Sequence, residues 1–101
     1  MPEPTLLYLL LGSNLGDRHH ALSQAQGQLE QALGPATAVS SVYETAPWGL
    51  IHQPAFLNQV LGLYTLQLPG DLLKITQGIE KKMGREKKEK WGTRTIDIDI
   101  L

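Results

Sequence analysis

The stretch Thr95-Ile96-Asp97-Ile98-Asp99-Ile100-Leu101 decides how the whole chain is read. Apolar and acidic residues alternate strictly in it, and a period of two marks a strand with one face turned inward. Ile96, Ile98 and Ile100 share one face, and Asp97 and Asp99 share the other. Working back, Arg85 to Arg94 is a charged loop, and before it lies a helical pattern. Pro69 suits the first helical position and Asp71 its first turn. Leu72, Ile75, Thr76, Ile79 and Met83 form an inner stripe, and Gly84 ends the helix.

Ala55 to Leu66 holds a further extended apolar segment. Glu44 to Pro54, with two prolines, a glycine and Trp48, is a long loop of the kind that carries function in compact domains. Thr37 to Tyr43, with Val39 and Val42, is a short strand. Leu22, Ala25, Leu29, Ala32 and Leu33 recur at helical spacing, with Asn14 or Asp17 as cap and Gly34-Pro35 as terminator. Gly12 to Asp17 is a turn. Thr5 to Leu11 is a continuous apolar run, expected to be a strand buried on both faces. The order is β-α-β-β-α-β. That is an α+β, ferredoxin-like arrangement: an antiparallel sheet with both helices on one face.

With 101 residues there is room for a single domain spanning 1–101. The absence of cysteine excludes disulfides and thiolate metal sites. No positively charged leader precedes an apolar core. The longest apolar run, Leu6 to Leu11, is far short of the ~20 residues of a membrane span. A soluble, cytoplasmic protein with no membrane partner is expected. The net charge of −1 is unevenly placed. Between Lys81 and Arg94 seven cations face two acids, giving +5; elsewhere two cations face eight acids, giving −6. A basic loop on an acidic protein fits a discrete anion site better than a nucleic-acid face. A solvated helix end explains the same charges.

On a strand, Asp97 and Asp99 lie about 6.5 Å apart on one face. Two ionised carboxylates at that distance repel by roughly 3 kcal/mol at an effective dielectric of about 20. A cation between them removes the repulsion, and magnesium favours one or two carboxylates together with substrate phosphates. A pair of such ions, about 4 Å apart, can clamp a phosphoryl group. The plainer alternative is a strand with a wet outer face. The preceding basic loop, and Phe56 and Asn58 on the same open face, argue for one composite site. An amide such as Asn58 both donates and accepts, as a flat heteroaromatic ligand requires, and Phe56 or Trp48 can stack on its ring. Core packing is the alternative for both aromatics, and it suits Phe56 better than Trp48 in its proline- and glycine-containing loop. Gln77 and Glu80, three apart near the end of the second helix, are either a solvated face or a nucleotide contact. No Walker A or G-x-G-x-x-G motif is present, and Gly12 and Gly16 are assigned to the turn. His19 and His20 are adjacent and so point different ways on a helix, and His52 is alone in a loop, so no histidine metal site is expected.

Several segments together resemble one family. They are Leu11-Gly12-Ser13-Asn14-Leu15-Gly16-Asp17-Arg18, Ser41-Val42-Tyr43-Glu44-Thr45-Ala46-Pro47-Trp48-Gly49 and Gln53-Pro54-Ala55-Phe56-Leu57-Asn58. Ile79-Glu80, Gly84-Arg85 and Trp91-Gly92-Thr93-Arg94-Thr95-Ile96-Asp97-Ile98-Asp99-Ile100-Leu101 follow. In this order they resemble the 6-hydroxymethyl-7,8-dihydropterin pyrophosphokinases of folate biosynthesis. The resemblance implies a diphosphotransferase. The pterin hydroxymethyl oxygen attacks the β-phosphorus of ATP, pyrophosphate is transferred and AMP leaves.

Carried over by residue, the resemblance implies that Asp97 and Asp99 hold two Mg2+ ions. Asn58 and the backbone around Thr45, Ala46 and Trp48 read the pterin, and Phe56 stacks on it. Gln77, Glu80, Arg85, Trp91, Arg94 and Ile100 line the ATP side. Arg85 and Arg94 stabilise charge on the transferring group, consistent with phosphoryl transfer as a problem of positioning and electrostatics. The family has proline where this chain has Thr93, and proline would stiffen the loop that carries Arg94. Family members also continue past the second aspartate. The chain is therefore expected to lack the family's C-terminal part and to turn over slowly or not at all alone. The family resemblance implies a monomer when full length. This chain is expected to be able to self-associate through an exposed edge. A non-catalytic nucleotide- or partner-binding fragment is the alternative.

Overall fold

The computed structural model describes residues 2–46, 54–84 and 95–101. β1 (Thr5–Ser13) runs through the middle of the sheet, paired antiparallel with β4 (Phe56–Thr65) on one side and β5 (Asp97–Ile100) on the other. β2 (Ala38–Val39) and β3 (Tyr43–Thr45) both pair antiparallel with β4 on its far side. The strand order is β2-β4-β1-β5, with β3 continuing the β2 edge. Helices α1 (Arg18–Leu33) and α2 (Pro69–Lys82) complete the α+β, ferredoxin-like arrangement.

The helices begin and end where local chemistry directs. The Asp17 carboxylate caps α1 by accepting from the His20 N–H at 3.0 Å. Pro69 opens α2 in place of a side-chain cap, and its missing N–H costs nothing there. Gly34 and Gly84, at φ +104° and +86°, terminate the two helices in backbone that L side chains rarely adopt.

One face of the sheet carries the core. Leu7, Leu9 and Leu11 of β1 pack with Leu57, Leu61 and Leu63 of β4 and with Ile96 and Ile98. Against them lie Leu22, Ala25 and Leu29 from α1 and Leu72 and Ile79 from α2. The other face is open, which corrects the expectation for β1. Leu6 is 41% and Tyr8 46% exposed, because no helix among the described residues covers their side. The Tyr8 ring instead lies over Gly62, its Cε1 3.1 Å from where a Cβ would stand. An aromatic side chain thus shields the bare backbone of the neighbouring strand.

The strand expected over Thr37–Tyr43 is divided and extends further, to Thr45. Ala38 and Val39 pair with Gly62 and Leu61, whereas Tyr43, Glu44 and Thr45 pair with Asn58, Leu57 and Phe56. Residues 40–42 therefore oppose only Gln59 and Val60, an extra residue that makes a bulge. Ser40 closes it. Its N–H donates to the Val60 carbonyl at 2.9 Å, and its hydroxyl accepts from the Val60 N–H at 2.8 Å. Gln59 Nε2 donates to the Ser40 carbonyl at 3.0 Å. β1 also runs on to Ser13, so Gly12 belongs to the strand, while Gly16, at φ +68°, serves the turn.

No helix among the described residues is long and apolar enough to cross a membrane.

Candidate active site

The open face gathers its polar residues in one row. Asp97 pairs with Gly12, Gly12 with Asn58, and Asn58 with Tyr43, each across one ladder. Residues directly opposite in a sheet share a face, so all four project to the same side. A neighbouring row holds Asp99 and Leu10, and Thr45 stands opposite Phe56. These residues and Ala46 line a single cavity of about 340 Å3. Across the two ladders between them, the Cα atoms of Asp97 and Asn58 are about 10 Å apart. That distance accommodates a small flat ligand beside a metal-bound phosphate group.

Gly12 makes the floor. A Cβ there would come within 3.2 Å of Asn58 Oδ1 and 3.5 Å of a Phe56 ring carbon. Its glycine character reflects this close approach rather than a special backbone angle, because its φ is not positive. Asn58 is oriented by β3. Its Nδ2 donates to Thr45 Oγ1 at 2.8 Å and, more weakly, toward the Tyr43 carbonyl at 3.4 Å. With its amide donor engaged there, its Oδ1 is turned toward Gly12, available to accept from a ligand.

Two residues hold the foot of the connection between β3 and β4. Arg18 Nη1 donates to the Ala55 carbonyl at 2.8 Å and lies 3.5 Å from Glu44 Oε2. Asn14 Nδ2 donates to the Pro54 carbonyl at 3.2 Å. The start of α1 and the turn before it therefore anchor the chain entering β4, next to Phe56.

The cavity brings together Thr45, Ala46, Phe56, Asn58, Asp97 and Asp99. Gln77, Glu80 and Ile100 lie apart from it. Gln77 is exposed on α2, Glu80 is buried against β5, and Ile100 is on the same strand face as Ile98, opposite the aspartates. Trp48, Arg85, Trp91 and Arg94, with Thr93, lie outside the described residues. Leu10, Gly12 and Tyr43 line the cavity without having been singled out as ligands. The period of two points to Leu10 within β1 and to Tyr43, two before Thr45, whereas Gly12, beside a turn, carries no such signal.

Among the described residues no group of three or more His, Asp or Glu side chains could enclose a metal ion. The donor set is the aspartate pair on an open cavity. It suits a hard cation that takes its remaining ligands from substrate oxygens and water.

Comparison with known proteins bears on this arrangement. Residues 8–101 match the family model for 7,8-dihydro-6-hydroxymethylpterin-pyrophosphokinase. The chain belongs to this family. It is 48% identical over 99 residues to the 2-amino-4-hydroxy-6-hydroxymethyldihydropteridine pyrophosphokinase of Porphyromonas gingivalis, covering 95% of this chain and 67% of the relative. The pyrophosphokinase of the same name from Bacillus subtilis is 46% identical over 97 residues, covering 95% of this chain and 58% of the relative. That from Aquifex aeolicus is 46% identical over 95 residues, covering 94% and 59%. The chain thus spans from a little over half to two thirds of the length of these pyrophosphokinases. The family's activity is pyrophosphate transfer in folate biosynthesis, with ATP as co-substrate. This chain carries a ferredoxin-like sheet with a cavity on its open face.

Proposed function

We propose that this chain supplies the pterin-reading and cation-holding surface of a pyrophosphokinase acting on ATP and 6-hydroxymethyl-7,8-dihydropterin. The observation that carries the reading is the row Asp97, Gly12, Asn58, Tyr43 across one cavity. Asn58 Oδ1 accepts from a ring N–H of the pterin, and Phe56 offers an apolar face to the ring. Asp97 and Asp99 face the reacting end. When bound there, two Mg2+ ions would neutralise charge on the polyphosphate and activate the attacking hydroxyl.

The reaction moves one group. The pterin hydroxymethyl oxygen forms a bond to the β-phosphorus, and the bond from that phosphorus to the oxygen bridging the α-phosphate breaks. AMP departs with the bridging oxygen, and the hydroxyl proton passes to solvent or base. The residues on this face position the acceptor: Gly12 leaves the ring room, and Thr45 and the Tyr43 carbonyl fix the amide that orients it. Arg85 and Arg94 fit a role at the transferring group, and Gln77, Glu80, Trp91 and Ile100 a role on the nucleotide side, by their family positions alone. Trp48 fits the pterin side on the same ground. We read the reaction as cytoplasmic, where ATP is at hand.

Calorimetric titration tests the reading. The chain should bind a non-hydrolysable ATP analogue only with Mg2+, and hydroxymethyl pterin more tightly once the analogue is present. Asp97→Asn should abolish the magnesium-dependent part. Magnesium-independent binding, or self-association with no nucleotide binding, overturns it in favour of a non-catalytic module.

A further inference from the structure

Glu80 is a carboxylate buried to 7% exposure on α2, and its Oε2 accepts a hydrogen bond from the Ile98 N–H at 2.8 Å. Ile98 is the residue between Asp97 and Asp99. β5 is an outer strand of the described sheet, bonded to β1 on one side. N–H groups along such a strand point alternately toward and away from the neighbour. The Leu101 N–H donates to the Tyr8 carbonyl at 3.0 Å, so the N–H of Ile98, three residues earlier, points outward, where the Glu80 carboxylate meets it. α2 packs against β5 and brings Glu80 there.

We propose that Glu80 is a positioning residue for the cation site: it fixes the β5 backbone between the two aspartates and so sets their separation and aim. The inference rests on the metal role proposed for Asp97 and Asp99. Glu80 reaches the backbone from the α2 side, while both aspartates project to the open face, so it orients them without sharing their cation. A four-residue strand bonded along one side is the kind of element that frays. A metal constellation tolerates only about 0.5 Å of play. The buried bond from Glu80 closes the unsupported side at the midpoint of the pair.

The test combines Mn2+ affinity by electron paramagnetic resonance, with the ATP analogue present, and exchange of the Ile98 amide by NMR, on the whole chain. Glu80→Met removes the acceptor and keeps the stem. It should abolish protection of the Ile98 amide and weaken Mn2+ binding by at least about tenfold, the usual scale for losing a group that orients a metal ligand. Glu80→Gln keeps an acceptor oxygen and should restore both. Leu29→Ala, a core change on α1, should lower the melting temperature and leave Mn2+ affinity unchanged.

Wild-type Mn2+ affinity in Glu80→Met overturns the proposal. So does Glu80→Gln being as weak as Glu80→Met, which would assign the effect to charge, or Leu29→Ala weakening binding equally. If Glu80→Met fails to fold, Glu80→Asp, one methylene short of Ile98, takes its place. An unprotected wild-type Ile98 amide also overturns the proposal. Absence of Mn2+ binding by the wild-type chain is a separate outcome. It rejects the metal reading of the aspartates and, with it, a positioning role toward that metal.

Discussion

Gly12 and Asn58 face each other across the β1–β4 ladder, and any side chain on the glycine would meet the amide oxygen first, at 3.2 Å. Alanine there requires Asn58 to yield by a few tenths of an ångström, and valine fills the floor of the cavity. Gly12→Val should therefore leave the fold intact, since valine suits a strand better than glycine. It should weaken pterin binding by at least about tenfold, or about 1.4 kcal/mol. Circular dichroism melting and pterin titration, run side by side, check both halves.

Arg18 should matter through a carbonyl and little through its acid. The Arg18–Glu44 pair is long, at 3.5 Å, with side chains 30% and 60% exposed, and such pairs contribute about 0–1 kcal/mol. The 2.8 Å bond to the Ala55 carbonyl is the stronger contact. Glu44→Gln should change the unfolding free energy by under about 0.5 kcal/mol. Arg18→Met should cost about 1 kcal/mol, a typical hydrogen-bond loss. Arg18→Met should also weaken pterin binding several-fold, because the released segment leads into Phe56. Urea unfolding and pterin titration of the two variants separate the contributions.

Asp99→Asn should move stability and metal binding in opposite directions. Without metal, removing one of two like charges on one strand face relieves repulsion, and the melting temperature should rise by a few degrees. With Mg2+ and the nucleotide analogue, the wild-type chain should gain stability from the ligand and the variant should gain little. A melting curve with and without Mg2+ checks the sign of both changes.

Ser40→Ala should destabilise the sheet at its bulge. The hydroxyl accepts the Val60 N–H at 2.8 Å, and alanine leaves that donor without its partner. The expected cost is about 1–3 kcal/mol. Ser40→Thr retains the oxygen and should cost less. The comparison by urea unfolding checks it.

The sheet and helices were legible because each carries its own period. Alternation marked β5, helical spacing marked α1 and α2, and Pro69, Gly34 and Gly84 marked their ends. The bulge was not legible. Residues 37–45 are short, mixed and partly exposed at an edge, and the extra residue is held by two single side chains, Ser40 and Gln59, which form no repeating pattern. The two-sided burial expected for β1 failed for a related reason. Leu6, Tyr8 and Leu10 are apolar, as buried residues are, yet they line a face that no helix among the described residues covers.

In the site, Asp97, Asp99 and Asn58 were readable from residue type and strand parity. Gly12 was not, because a glycine next to a turn resembles a turn residue whether it serves an angle or a ligand. Arg18 closes the first family-like segment, and nothing in that segment gives it a role. Its decisive partner is a main-chain carbonyl, and any residue can present one.

The bulge between β2 and β3 absorbs one residue, and the pairing with β4 decides which way the following side chains point. With it, Tyr43 and Thr45 pair with Asn58 and Phe56 on the cavity side, and Glu44 faces the helices, within reach of Arg18. Deleting one residue of 40–42 would leave two residues opposite Gln59 and Val60, a regular ladder in which Tyr43 and Thr45 still meet Asn58 and Phe56. A deletion inside β3 is the damaging one, because it turns the residues beyond it to the opposite face. The same loss of one residue is thus mild before Tyr43 and harmful to recognition after it.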